Sequence, residues 1–96
     1  MNVGGNTYQT SKTTLLKTDS FFTTLFSGRY NIEKDETGAI MIDRDGTHFG
    51  IILNFLRDSI LPSELPRGVI EALLAEAKFY QLNALVQVLE VSWKGK

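Results

Sequence analysis

Apolar positions fall in short bursts along the chain, and the spacing inside each burst sets the element it predicts. Phe21, Phe22, Leu25 and Phe26 lie at i, i+1, i+4 and i+5, one stripe of a helix. Asp19 and Ser20 precede it as capping residues, and Gly28 stops it. Gly38 leads into Ala39-Ile40-Met41-Ile42, an unbroken apolar run with two β-branched residues. Such a run predicts a strand covered on both faces. The turn Asp43-Arg44-Asp45-Gly46 ends it, and Thr47 then caps a third helix bearing Phe49, Ile52, Leu53 and Leu56. Residues 61–66 hold Pro62 and Pro66, which bar a regular helix. Helical spacing resumes over 69–78 through Ile70, Leu73, Leu74 and Ala77. Asn83 caps a last short helix with Leu85, Val86 and Leu89.

The remaining stretches are polar. Residues 1–3 pair with 7–10 as a hairpin across Gly4-Gly5-Asn6, because glycine and asparagine tolerate the positive φ that hairpin turns need. Ser11 caps a helical turn over 12–16, and 29–37 reads as a loop. The order is two strands, two helices, a strand and three helices. That is an α+β fold with a small three-stranded sheet and helices packed around it.

Composition narrows the function more than the fold. A chain of 96 residues with 43% hydrophobic and 22% charged side chains is one small globular domain. Its net charge of −1 and lack of a basic stripe argue against nucleic acid as a partner. No apolar run approaches the roughly 20 residues of a membrane span, and the polar, glycine-rich start is not a signal peptide. The absence of cysteine excludes disulfides and thiolate metal sites, and is compatible with a reducing compartment. The expected location is the cytoplasm, with the nucleus open.

Catalytic and metal chemistry finds little support. Gly4-Gly5 lacks the third spaced glycine of a dinucleotide loop and the Gly-Lys-Ser/Thr of a nucleotide-triphosphate loop. His48 is the only histidine, too few for the usual zinc sets within one chain, and reads as an exposed side chain at a helix start. If Gly46 were the sixth position of a calcium loop, Met41 and Ile52 would occupy ligand positions one and twelve, and neither has a side-chain oxygen. The carboxylates of Glu33, Asp35 and Glu36 lie in a solvated loop with no burial to raise their pKa. No cofactor, no metal and no enzymatic activity are expected. Asp43, Arg44 and Asp45 serve either as turn acceptors or as charged contacts with a neighbouring chain. Phe79-Tyr80 sits where helical spacing breaks, so one ring points outward or both belong to the core. Gly50, in the first turn of a helix, weakens it by about 1 kcal/mol relative to alanine. Close approach of a partner and tight internal packing explain the missing side chain equally well.

Six segments, in order over residues 2–90, resemble one family. They are Asn2-Val3-Gly4-Gly5 with Tyr8 and Thr10; Asp19-Ser20-Phe21-Phe22 leading to Phe26-Ser27-Gly28-Arg29; and Asp35-Glu36-Thr37-Gly38-Ala39. Ile42-Asp43-Arg44-Asp45-Gly46-Thr47-His48-Phe49, Ile52-Leu53-Asn54-Phe55-Leu56-Arg57 and Glu76-Ala77-Lys78-Phe79-Tyr80 complete the set. The family is the BTB/POZ domain of the potassium channel tetramerisation type. Phe26-Ser27-Gly28-Arg29 and Asn54-Phe55-Leu56-Arg57 are more similar to its soluble KCTD members than to voltage-gated channels.

The resemblance implies the short BTB/POZ fold over residues 1–91, with 92–96 as a C-terminal tail. It also implies a ring-like homo-oligomer, a pentamer or tetramer. Many relatives are ubiquitin-ligase adaptors whose BTB domain holds a cullin-3-type scaffold while a separate C-terminal domain recruits substrate. Others assemble without cullin, in channel- or receptor-associated proteins. By this resemblance Phe79 faces cullin; Gly50, Tyr80 and Pro62 join it as cullin-interface candidates, and the charged turn Asp43, Arg44 and Asp45 beside an apolar strand supplies the oligomer-interface candidates. The strand residues that precede Asn2 in the family are missing apart from Met1, and no substrate-binding domain follows, so the chain reads as an excised module. The histidine–cysteine set that binds interface zinc in some channel domains is absent, which implies a zinc-free interface.

Overall fold

Gly4 and Gly5 both adopt positive φ, +59° and +99°, and so close a two-residue hairpin. Strand β1, Asn2–Val3, pairs antiparallel with β2, Asn6–Thr7, in the register Asn2↔Thr7 and Val3↔Asn6. Asn6 is thus a strand residue, and the turn is one residue shorter than the sequence predicts. The Asn2 side chain steadies it by accepting from the Gly5 N–H at 2.8 Å. These are features of a computed structural model that describes residues 1–95. Strand β3, Met41–Ile42, runs parallel to β1 on its other side, giving a sheet ordered β2-β1-β3. Only one face of β3 is covered: Ile42 is buried while Met41 is 44% exposed. The expected two-sided cover is therefore corrected, since the helices pack against one side of this strand. Within the expected loop, Lys34 bridges Ile40 antiparallel.

Helix α1, Lys12–Leu15, is capped by Ser11, whose hydroxyl accepts from the Thr14 N–H. Helix α2, Phe21–Leu25, is capped by Ser20 with Thr23 reciprocating in a capping box. Helix α3, Phe49–Asp58, starts one residue later than expected, from His48. Thr47 does not cap it because Asp45 holds both the Thr47 N–H (3.0 Å) and its hydroxyl (2.6 Å). Helix α4, Arg67–Phe79, begins directly after Pro66, two residues before the expected start. Helix α5, Asn83–Lys94, contains Asn83 as its first residue instead of its cap. It continues through 92–94, residues expected as tail, while Lys96 lies outside the described residues. Trp93 is tied back to α4 by the Arg67 guanidinium, 4.0 Å from its ring.

The core is one cluster fed by every layer. Val3 and Ile42 come from the sheet, Leu15 and Phe22 from the short helices, and Phe49, Ile52 and Leu53 from α3. Ile70, Leu73 and Ala77 from α4 meet Leu85 and Leu89 from α5. Fully burying side chains of this size contributes about 1.5–3 kcal/mol each, which is why the i, i+3, i+4 stripes decide how the helices lie.

Candidate partner-binding surface

Helix α4 ends in a way that splits Phe79 from Tyr80. The Leu82 N–H donates to the Ala77 carbonyl (2.9 Å) and the Gln81 N–H to Lys78 (3.1 Å), with Gln81 at φ +58°. This is a Schellman ending, and the reversal it makes is where helical spacing breaks in the sequence. Tyr80 turns inward and is fully buried. Its ring stacks on Phe22 at 5.2 Å and 14°, and meets Phe49 at 5.4 Å and Phe21 at 5.6 Å. Burial pushes its phenol pKa up, and its hydroxyl has no hydrogen-bond partner among the described residues. Tyr80 therefore offers no surface to a partner, and its place among direct cullin contacts is corrected: it is the floor beneath Phe79.

Phe79 turns outward and is 39% exposed. Its ring lies 5.2 Å from Phe21 and 5.0 Å from Tyr80, the latter edge-on at 82°. The Arg44 guanidinium sits 4.2 Å from the ring centroid. Arg44 in turn donates through Nε to Glu76 Oε1 (2.9 Å) and through Nη2 to Oε2 (2.7 Å). This is the two-pronged pairing that fits a guanidinium to a carboxylate, and the Glu76 hydrogen bonds raise the Arg44 pKa further. Glu76 and Phe79 stand at i and i+3, hence on one face of α4.

The three oligomer-interface candidates separate. Arg44 is committed to Glu76 and Phe79 within the chain, leaving 32% of its side chain exposed. Asp45 acts as the turn acceptor, with its carboxyl held below the usual range by the Thr47 hydroxyl and N–H. Asp43 is exposed. The cullin candidates separate too. Gly50 is half-buried, and a Cβ built there would meet Tyr8 Cε1 at 3.4 Å, ordinary van der Waals contact. Internal packing therefore does not require glycine at this position. Pro62 is exposed and lines a hollow of ≈ 370 Å³ with Ile51, Asn54, Asp58, Ile60 and Leu61. The Pro62 hollow reaches Ile51, the residue after Gly50. The pairing of Glu76 with Arg44 and the contact of Phe21 with Phe79 are not legible in the sequence, because nothing local signals that residues 32 apart will pair or that α2 will reach α4.

A backbone lock fixes where Arg44 stands. A Cβ on Gly4 would fall 2.1 Å from the Arg44 carbonyl oxygen, and one on Gly46 would fall 2.0 Å from that of Val3. The hairpin and the 43–46 turn thus touch backbone to backbone, and the Tyr8 hydroxyl closes the contact by donating to the Gly46 carbonyl. The Gly4 N–H adds a bond to the Ile42 carbonyl (3.0 Å). Among the described residues no three acidic or histidine side chains gather as a metal site, and no helix is long and apolar enough to cross a membrane.

The sequence profile of the BTB/POZ domain matches residues 1–89. The chain is 41% identical over 96 residues to the BTB/POZ domain-containing adapter for CUL3-mediated RhoA degradation protein 2 of Homo sapiens, covering all of this chain and 30% of that protein. The Mus musculus protein of that name shows the same identity and coverage. The present chain is 55% identical over 93 residues to SH3KBP1-binding protein 1 of Rattus norvegicus, covering 95% of this chain and 13% of that protein. The chain thus spans less than a third of the length of these relatives.

Proposed function

The chain belongs to the BTB/POZ domain family, in its potassium channel tetramerisation (KCTD) branch, and from that premise we propose that it is the cullin-binding, self-assembling part of a ubiquitin-ligase adaptor. By family the domain is an interaction module, not an enzyme. Relatives named as adapters for CUL3-mediated degradation support a cullin-3 adaptor role. The observation that carries the finer reading is the Phe79 ring, an apolar group left 39% exposed at the end of a helix on a rigid aromatic floor. Binding hot spots are few, are enriched in aromatic residues, and cost about 2 kcal/mol or more when truncated.

Calorimetric titration with the cullin-3 N-terminal domain tests this. Wild type binds, and Phe79→Ala weakens binding by at least about 30-fold while keeping the wild-type assembly mass and melting temperature. Gly50→Asp weakens it as well if Gly50 lies under the partner, by adding bulk and charge. Light scattering reads the self-assembly, with an expected mass several times 10.8 kDa at micromolar concentration. A monomer at all accessible concentrations contradicts that part. The second reading is an assembly module that does not hold cullin, and relatives at 55% identity are named for binding a different protein, SH3KBP1. Absence of binding by folded wild type selects it.

A further inference from the structure

We propose that Arg44, pinned by Glu76 and by the glycine lock beneath it, is a positioning residue that holds the Phe79 ring in its partner-ready pose. The inference rests on the reading of Phe79 as a contact. A partly exposed phenylalanine in the last turn of a helix is free to change rotamer, and that freedom must be given up when a partner seats on it. Here the ring is already confined. Tyr80 meets its edge and Phe21 its inner side, at 5.0 and 5.2 Å. Tyr80 is a core residue and Phe21 packs against the core. Arg44 adds a third contact, arriving from the turn after β3 with its guanidinium 4.2 Å from the ring centroid.

An arginine is itself long and flexible, so it can hold a ring only if it is held. Two features do this. At its head, Glu76 takes the guanidinium by two hydrogen bonds of 2.9 and 2.7 Å, from a carboxylate only 14% exposed. At its root, Gly4 packs so closely on the Arg44 carbonyl that a methyl group would overlap it at 2.1 Å. The planar fork matters: a lysine ammonium would keep the charge but lose both the paired geometry and the stacking plane. Because Glu76 balances the charge, an apolar partner reaching Phe79 meets a neutral ion pair instead of a bare cation.

The test separates positioning from direct contact and from a merely structural role. Phe79 side-chain order is read by aromatic ¹³C relaxation, and affinity by titration with the cullin-3 N-terminal domain. Arg44→Gln and, as an independent loosening of the same fork, Glu76→Gln keep the wild-type melting profile and assembly mass. Both lower Phe79 order, and both weaken binding by about 3- to 10-fold, the range expected when one side chain must be immobilised on binding. Arg44→Lys falls between them and wild type. In a Phe79→Ala background, Arg44→Gln adds less than about 2-fold, because its effect runs through the ring. An equal loss in both backgrounds, or unchanged Phe79 order in folded Arg44→Gln protein, overturns the proposal. If wild type does not bind cullin-3, the functional reading fails by itself, and ring order still decides whether Arg44 positions Phe79.

Discussion

The two ends of this domain solve opposite problems with the same chain. At the hairpin end, backbone meets backbone with no room for a methyl group: Gly4 against Arg44, Gly46 against Val3. At the end of α4, an aromatic ring is left 39% open and is steadied from the side by a charged pair. The closed end has no room for a Cβ at either contact point, whereas the open end leaves its ring partly exposed. Arg44 connects them, with its backbone in the lock and its side chain on the ring. The lesson is that the backbone beneath Arg44 is fixed by glycines well away from the Phe79 ring it reaches.

The largest effect tests the closed end. Gly46→Ala places a Cβ 2.0 Å from the Val3 carbonyl oxygen, a backbone atom that cannot swing aside. The expected loss exceeds about 4 kcal/mol, enough to leave much of a marginally stable domain unfolded. Denaturant melts read it, and a near-wild-type midpoint would break the idea of a lock. Gly4→Ala adds a positive φ of +59° to the same clash and is expected to match or exceed it.

Next comes the floor of the open end. Tyr80→Ala removes a fully buried ring stacked on Phe22 and is expected to cost about 3–5 kcal/mol. Tyr80→Phe is expected to leave stability unchanged or to raise it. It deletes a buried hydroxyl with no partner among the described residues, and burying such a group unpaired costs about 1–3 kcal/mol. A clear loss of stability in Tyr80→Phe would show that the hydroxyl is paired in solution.

Gly50 sharpens the contrast between glycines. Its Cβ would make only van der Waals contact with Tyr8, so Gly50→Ala should stabilise α3, by up to about 1 kcal/mol. A drop in melting temperature would place Gly50 with the lock instead of with a partner surface.

The smallest effect is a pH dependence beside the hairpin. Asp35 is held at a pKa of about 2, first by the Thr37 hydroxyl and then by the Asn2 amide of β1. An unfolded aspartate titrates near 3.9. The folded state therefore binds this proton less readily, and the stabilisation is present above about pH 4 and lost as pH falls towards 2. Asp35→Asn should flatten the stability curve across that window without moving the plateau slope at neutral pH. An unchanged acid limb would show that Asp35 contributes nothing to it.

Much of this was legible in the sequence because local physics decides it. The stripes of α2, α3 and α4 appear as i, i+3, i+4 spacing, since a helix must bury one face. Ser11 and Ser20 cap as expected, because a hydroxyl beside free N–H groups has no competitor there. Thr47 and Asn83 do not cap, because such competitors exist there: Asp45 takes the Thr47 hydroxyl, and the Schellman ending of α4 makes Leu82 the cap of α5. Met41 reads as buried within an apolar run, but whether a strand has one covered face or two depends on what packs over it.

The chain by itself determined the order of elements, the hairpin glycines and the apolar stripes, all set by neighbours within a few residues. It also carried the ordered segments that mark the family. Only the tertiary structure decided which ring of Phe79-Tyr80 faces out, that Arg44 belongs to Glu76 and Phe79, and that Gly4 and Gly46 interlock while Gly50 has room. Those facts depend largely on contacts between residues 31 or more positions apart, and such pairings leave no periodic trace because they are fixed only when the helices and the sheet close on a shared core.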